Sequence, residues 1–99
     1  MAKIKEETKT LKEILANAGI LTNTEEQYKL VLWNDDHNSF EWVIYCLTTY
    51  LNFSTDRAER AAMIVHTKGK DVVKVGSKTL LEPYKKILEE RGLSVTIED

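Results

Sequence analysis

Between Val31 and Phe40 the chain changes its hydrophobic period, and that change limits the folds open to it. Through Trp33 the segment YKLVLW alternates. Tyr28, Leu30 and Leu32 fall on one face and Lys29, Val31 and Trp33 on the other, the pattern of a strand with one core face. From Phe40 the apolar residues Phe40, Val43, Ile44, Leu47 and Leu51 recur at helical spacing. The polar joint between the two contains Asn34, Asp35, Asp36 and His37. Asn38 or Ser39 is placed to cap the helix, and Glu41 suits the positive end of its dipole. Asn52 and Phe53 break the helical run.

The remaining chain carries the same kinds of signal. Ser54 is placed to cap a second helix, with Ala58, Ala61, Ala62 and Val65 as its buried stripe. His66 follows Ala62 by four residues, which puts both on nearly one face at the last turn, and Gly69 is a left-handed terminator. DVVKV is a short strand. TLLE, residues 79–82, has the form of a capping box, with Pro83 in the first turn and Leu80, Tyr84, Ile87 and Leu88 as the inward stripe. Gly92 stops this helix, and LSVTIE closes the chain as a strand with Leu93, Val95 and Ile97 on one face. The expected fold class is α+β, in the order β-α-α-β-α-β, with three helices packed on one face of a three-stranded antiparallel sheet. Residues 28–99 form this core. Residues 1–27 hold no aromatic residue, and they are expected to be a mobile N-terminal extension.

Composition narrows the function. Ninety-nine residues, 42% of them hydrophobic, suit one domain with a core. Fourteen basic against sixteen acidic residues give a net charge of -2, so no global field draws in nucleic acid. No apolar run has the length of a membrane span, which needs roughly 20 residues. The start, MAKIKEETK, lacks the apolar core of a signal peptide, so a cytoplasmic location is expected. Cys46, the single cysteine, lies in the apolar run WVIYCL and reads as a small buried hydrophobe.

Three kinds of chemistry are open to the residues of the polar joint. Asp35, Asp36, His37 and His66 are types that zinc accepts, but no HxxxH or HExxH pair accompanies them, and no metal or other cofactor is expected. Ser39, His66 and Asp36 contain the types of a hydrolase triad. Without a nucleophile elbow or a glycine-rich oxyanion loop, no enzyme is expected. The third possibility is ligand binding. An amide, carboxylates and a neutral imidazole are acceptors for a primary ammonium, and Phe40, Val43, Ala62 and Val65 supply apolar surface beside them. Asn34, Asp35 and Asp36 also fit a plain role as turn residues bonding their own backbone.

From Tyr28 onward the chain resembles the ClpS family, adaptors of the ATP-dependent Clp protease. The resemblance rests on VLWNDD (31–36), FEWVIYCL (40–47), RA (57–58) and VHTKGK (65–70), with LLEPYKK (80–86) matching through Glu82. It implies an adaptor that binds the free α-amino group and bulky hydrophobic first residue of N-degron proteins. It then delivers them to a Clp-type AAA+ unfoldase, ClpA-like or ClpC-like. By position, Asn34, Asp35 and His66 are implied to hold the α-ammonium. Asp36, Asn38, Phe40, Val43, Ala62, Val65 and Leu93 are implied to form the side-chain pocket, and Thr79, Glu82, Tyr84 and Lys85 the unfoldase-docking surface. A monomer is expected.

The chain departs from the family pattern in several places. Asn38, Ser39 and Phe40 stand for the usual Thr-Pro-Met, Ala62 for a pocket methionine, and His37 for a tyrosine, while the AExK pattern around Leu81–Lys85 is missing. These changes imply a reshaped pocket. A sandwich of this kind also resembles the C-terminal domain of the bacterial ribosomal stalk protein, an interaction domain without an α-amine pocket. The pair NDD and VHxxGK separates the two.

Overall fold

The computed structural model describes residues 27–99, so all of the expected extension except Gln27 lies outside the described residues. The elements are β1 (Tyr28–Trp33), α1 (Phe40–Leu51), α2 (Thr55–Lys68), β2 (Lys70–Gly76), α3 (Lys78–Glu90) and β3 (Ser94–Glu98). The sheet order is β2-β1-β3, and both pairings are antiparallel. The expected order and fold class are therefore observed. α2 packs against β2, α3 against all three strands, and α1 joins the two helices.

Local chemistry sets most of the boundaries. Ser39 Oγ accepts from Trp42 N at 3.0 Å, and Ser54 Oγ accepts from Arg57 N at 3.1 Å, so each hydroxyl satisfies a free amide of a first turn. Asn52 ends α1 in the left-handed conformation at φ 61°, and Gly69 ends α2 at φ 98°. The core gathers Leu30 and Leu32 from β1 with Leu47, Leu81, Leu88 and Val95, and Cys46 is fully buried among them. Burial pushes the Cys46 thiol up, partly offset by the Arg91 guanidinium.

Two expectations need correction. α3 starts two residues before the capping box, because β2 ends at Gly76 and Ser77 is the first residue free to cap; its Oγ accepts from Leu80 N at 3.1 Å. Pro83 is thus the sixth helical residue and leaves the Thr79 carbonyl without its helical amide. Leu81, fully buried, takes the core position expected of Leu80, which is 46% exposed and folds over Gly76. The second correction concerns β1. Val31 is as buried as its neighbours although it points away from the helices, because β1 is the central strand. Across it, the register shifts between Leu30 and Val31: Leu30 pairs with Lys74 and Val31 with Val72, and the extra residue, Val73, enters the core.

Candidate functional site

Three chain segments meet at the end of β1. Gly69 lets α2 stop in a left-handed turn, and its carbonyl accepts from Asn34 N at 2.9 Å. The next residue, Lys70, already pairs with Trp33. This close return is why a strand ending in NDD and a helix ending in VHTKG belong together: it sets His66, on the last turn of α2, against the turn of residues 34–38. From the other side comes the α3–β3 corner, where Gly92 turns at φ 89°.

Asp35 organises the turn. Its Oδ1 accepts from His37 N at 2.9 Å and Asn38 N at 3.1 Å, an Asx arrangement. Asn38 Nδ2 lies 3.0 Å from both carboxylate oxygens and also donates to Gly92 O at 2.9 Å. Only the NH2 end of an amide can donate to a carboxylate and a carbonyl, so the orientation of Asn38 follows from its partners. Ser94 Oγ donates to Asp35 Oδ2 at 3.0 Å. Burial pushes the Asp35 carboxyl up, but the bonds from His37, Ser94 and Asn38 together outweigh it and hold the group below its ordinary value.

A carboxylate offers about four acceptor sites. Those of Asp35 are taken by protein donors. The side chains of Asn34, Asp36 and His66 contrast with it: among the described residues they make no hydrogen bond or ion pair. All three line one hollow of about 440 Å³, together with Asp35 and Asn38. Its apolar wall is made by Phe40, Val43, Ala62 and Val65. The Phe40 ring stands edge-on to the His66 imidazole, with centroids 6.4 Å apart and an interplanar angle of 86°. A volume of this size is within the range of sites for small ligands, roughly 300–1,000 Å³.

Nine of the ten residues expected at the α-amine and side-chain sites line this hollow. The tenth, Leu93, is buried one layer deeper, where it borders a space of about 30 Å³ with Leu32, Val43 and Val65. Met63, next to Ala62, points outward and is 51% exposed.

The family model for the ATP-dependent Clp protease adaptor protein ClpS matches residues 23–96. The chain belongs to the ClpS family. It is 40% identical over 68 residues to the ClpS adapter of Corynebacterium glutamicum, covering 69% of this chain and 68% of that one. With ClpS of Thermosynechococcus vestitus it shares 38% over 69 residues, covering 69% and 73%. It is also 41% identical over 58 residues, 59% of this chain, to the E3 ubiquitin-protein ligase ubr-1 of Caenorhabditis elegans, but spans 3% of that ligase. Among solved structures it resembles Agrobacterium tumefaciens ClpS2 bound to L-phenylalaninamide, with 30% identity and a TM-score of 0.64, covering 75% of this chain and 96% of the other.

Among the residues of this ClpS adaptor expected at the docking surface, Glu82 and Lys85 border one hollow with Lys86 and Glu89. Thr79 and Glu82 flank an open groove on α3 with Pro83 and Lys86. Tyr84 packs against the core under Lys74, whose Nζ lies 4.9 Å from the ring centroid, and Lys85 pairs with Glu89 at 3.1 Å. Helical spacing accounts for the inward turn of Tyr84, since residues 79, 82 and 86 follow one face and residue 84 another.

Residues that periodicity did not single out also hold the site. Trp42 Nε1 donates to Arg91 O at 3.0 Å, and Arg91 Nε donates to Tyr50 Oη at 2.7 Å, so α1 is bound to the same corner that receives Asn38 and carries Ser94. Trp42→Phe keeps most of the ring but removes the donor. It is expected to cost about 0.5–1.5 kcal/mol in a urea titration, and no loss would mean that water replaces the bond fully.

Proposed function

We propose that this ClpS adaptor binds proteins through a free α-amino group and a bulky hydrophobic first residue, and delivers them to a Clp-type AAA+ unfoldase, ClpA-like or ClpC-like. The observation that carries the proposal is the meeting of acceptors that have no partner among the described residues with an apolar wall in one hollow. An α-ammonium brings three donors, and Asn34, Asp36 and His66 offer an amide oxygen, a carboxylate and a neutral imidazole nitrogen to receive them. The first side chain then lies against Phe40, Val43, Ala62 and Val65. Burying a Phe or Leu side chain is worth roughly 1.5–3 kcal/mol. A blocked terminus leaves acceptors without donors and loses about 1–3 kcal/mol.

The relative from Agrobacterium tumefaciens supports this reading, because L-phenylalaninamide combines a free α-amine, an aromatic side chain and the start of a peptide-like amide. It differs from the expectation stated above in one assignment. Asp36, rather than Asp35, supplies the direct carboxylate contact, and Asp35 acts by holding the turn. The protein works as a cytoplasmic monomer without a cofactor, and the groove at Thr79 and Glu82 belongs to the surface that meets the unfoldase.

Calorimetric titration with L-phenylalaninamide and its N-acetyl form tests the binding step. Heat and saturation with the first alone support it, and equal responses to both contradict it. Degradation of a reporter beginning with Phe, by unfoldase and peptidase with and without the adaptor, tests delivery.

A further inference from the structure

The bonds that shape the turn are of two kinds. Those from His37 N and Asn38 N to Asp35 are local and specify the form of the turn, but not where it points relative to the rest of the molecule. Among the described residues, two side-chain bonds reach beyond the turn, and both join it to the α3–β3 corner: Asn38 Nδ2 to Gly92 O, and Ser94 Oγ to Asp35 Oδ2. Asn38 lines the hollow itself, whereas Ser94 does not. Ser94 is exposed on β3, opposite Trp33, so the sheet register brings its hydroxyl beside the residues that follow β1.

We propose that Ser94 is a positioning residue for the α-ammonium site: its hydroxyl ties the Asp35 carboxylate to β3 and so sets the direction in which Asn34 and Asp36 present their acceptors. This inference rests on the reading of the hollow as a site for a free N-terminus, and it adds a residue that never touches the ligand. The physical logic is preorganisation. A turn held to its neighbour by two tethers presents its acceptors in one direction before the ligand arrives, whereas a looser turn must be ordered during binding.

The surroundings also favour a readable acid dependence. The titratable groups lining the hollow with Asp35 are Asp36 on its own turn and His66 on α2, while His37, also on the turn, meets Asp35 through its backbone N–H; α1 contributes Phe40 and Val43, and β3 meets it with the uncharged Ser94. Ser94 donates to the ionised carboxylate, so losing the hydroxyl lets Asp35 take up a proton at a higher pH. The other groups are common to every variant and cancel in the comparison.

Ser94→Thr and Ser94→Val form the test, because both are β-branched, nearly isosteric and suited to an exposed strand position, and they differ in the hydroxyl. With a labelled peptide beginning with Phe, the Thr variant is expected to bind as the wild type does. The Val variant is expected to bind about fivefold more weakly, as the loss of one hydrogen bond predicts. The Asp35 carboxyl, followed by NMR titration without ligand, should move to higher pH in the Val variant alone. Equal affinities in the three proteins, or an Asp35 titration unchanged by Val, overturn the role of Ser94 while leaving the pocket intact. Failure of the wild type to bind the peptide counts against the N-terminus site and against the inference that rests on it, whatever the carboxyl titration shows about the Ser94 bond.

Discussion

Asp36→Ala is expected to weaken binding of a peptide beginning with Phe by roughly 10- to 100-fold and to leave the urea midpoint unchanged, because a bond to a charged group is worth about 1.5–3 kcal/mol. Asp35→Ala is expected to lower both affinity and stability. The two carboxylates are adjacent in sequence and opposite in circumstance. Asp36 is exposed, lines the hollow and has no partner among the described residues, so its removal takes nothing from the fold. Asp35 receives donors from His37, Asn38 and Ser94, and removing it frees all of them at once.

The Asp35 effect carries a pH signature. Its folded pKa is depressed, so the stability it contributes is complete above the ordinary carboxyl value, about 3.9, and is lost as pH falls through the lower folded value. Wild type and Asp35→Ala should therefore differ in urea titrations at neutral pH and converge in strong acid. Equal stability at neutral pH would mean that the turn holds without its carboxylate, and a loss of stability in Asp36→Ala would mean that the roles of the two residues had been exchanged.

Ala62→Met is expected to weaken peptides beginning with Trp or Phe by about 5- to 100-fold, the effect of overfilling a packed space by roughly 1–3 kcal/mol. A peptide beginning with Leu should lose much less. Ala62 is buried on α2 and forms part of the apolar wall, facing the hollow with Phe40 and Val65. A longer side chain there enters space that an aromatic first residue needs and a smaller aliphatic one leaves free. Competition among the three peptides checks this. Equal losses would assign Ala62 to ordinary helix packing.

Sequence reasoning reached the elements where one local signal dominates. Ser54 stands alone before a periodic helix, Ser39 is one of two adjacent candidates before another, Gly69 follows a helix, and the change of period at Asn34 marks the end of β1. It failed at α3, where Ser77 and Thr79 compete as caps. The end of β2 at Gly76, a matter of strand pairing, gives the position to Ser77 and moves Leu81 rather than Leu80 into the core. It also missed the burial of Val31, since an alternating pattern does not say whether a strand is central. The site divides along the same line. Asn34, Asp36, His66 and the apolar wall were legible as residue types near one joint. The saturation of Asp35 was not, because its distant donors, Ser94 foremost, arrive through the register of β1 with β3.

The central claim is that the hollow reads a free N-terminus together with a bulky first side chain. Fluorescence anisotropy of labelled peptides beginning with Phe, Tyr, Trp, Leu or Val, each free and N-acetylated, tests it most directly. The account predicts saturable binding of the free peptides with bulky first residues, weaker binding for Val, and loss of binding on acetylation. Binding that ignores acetylation, or no binding of any free peptide, would contradict it.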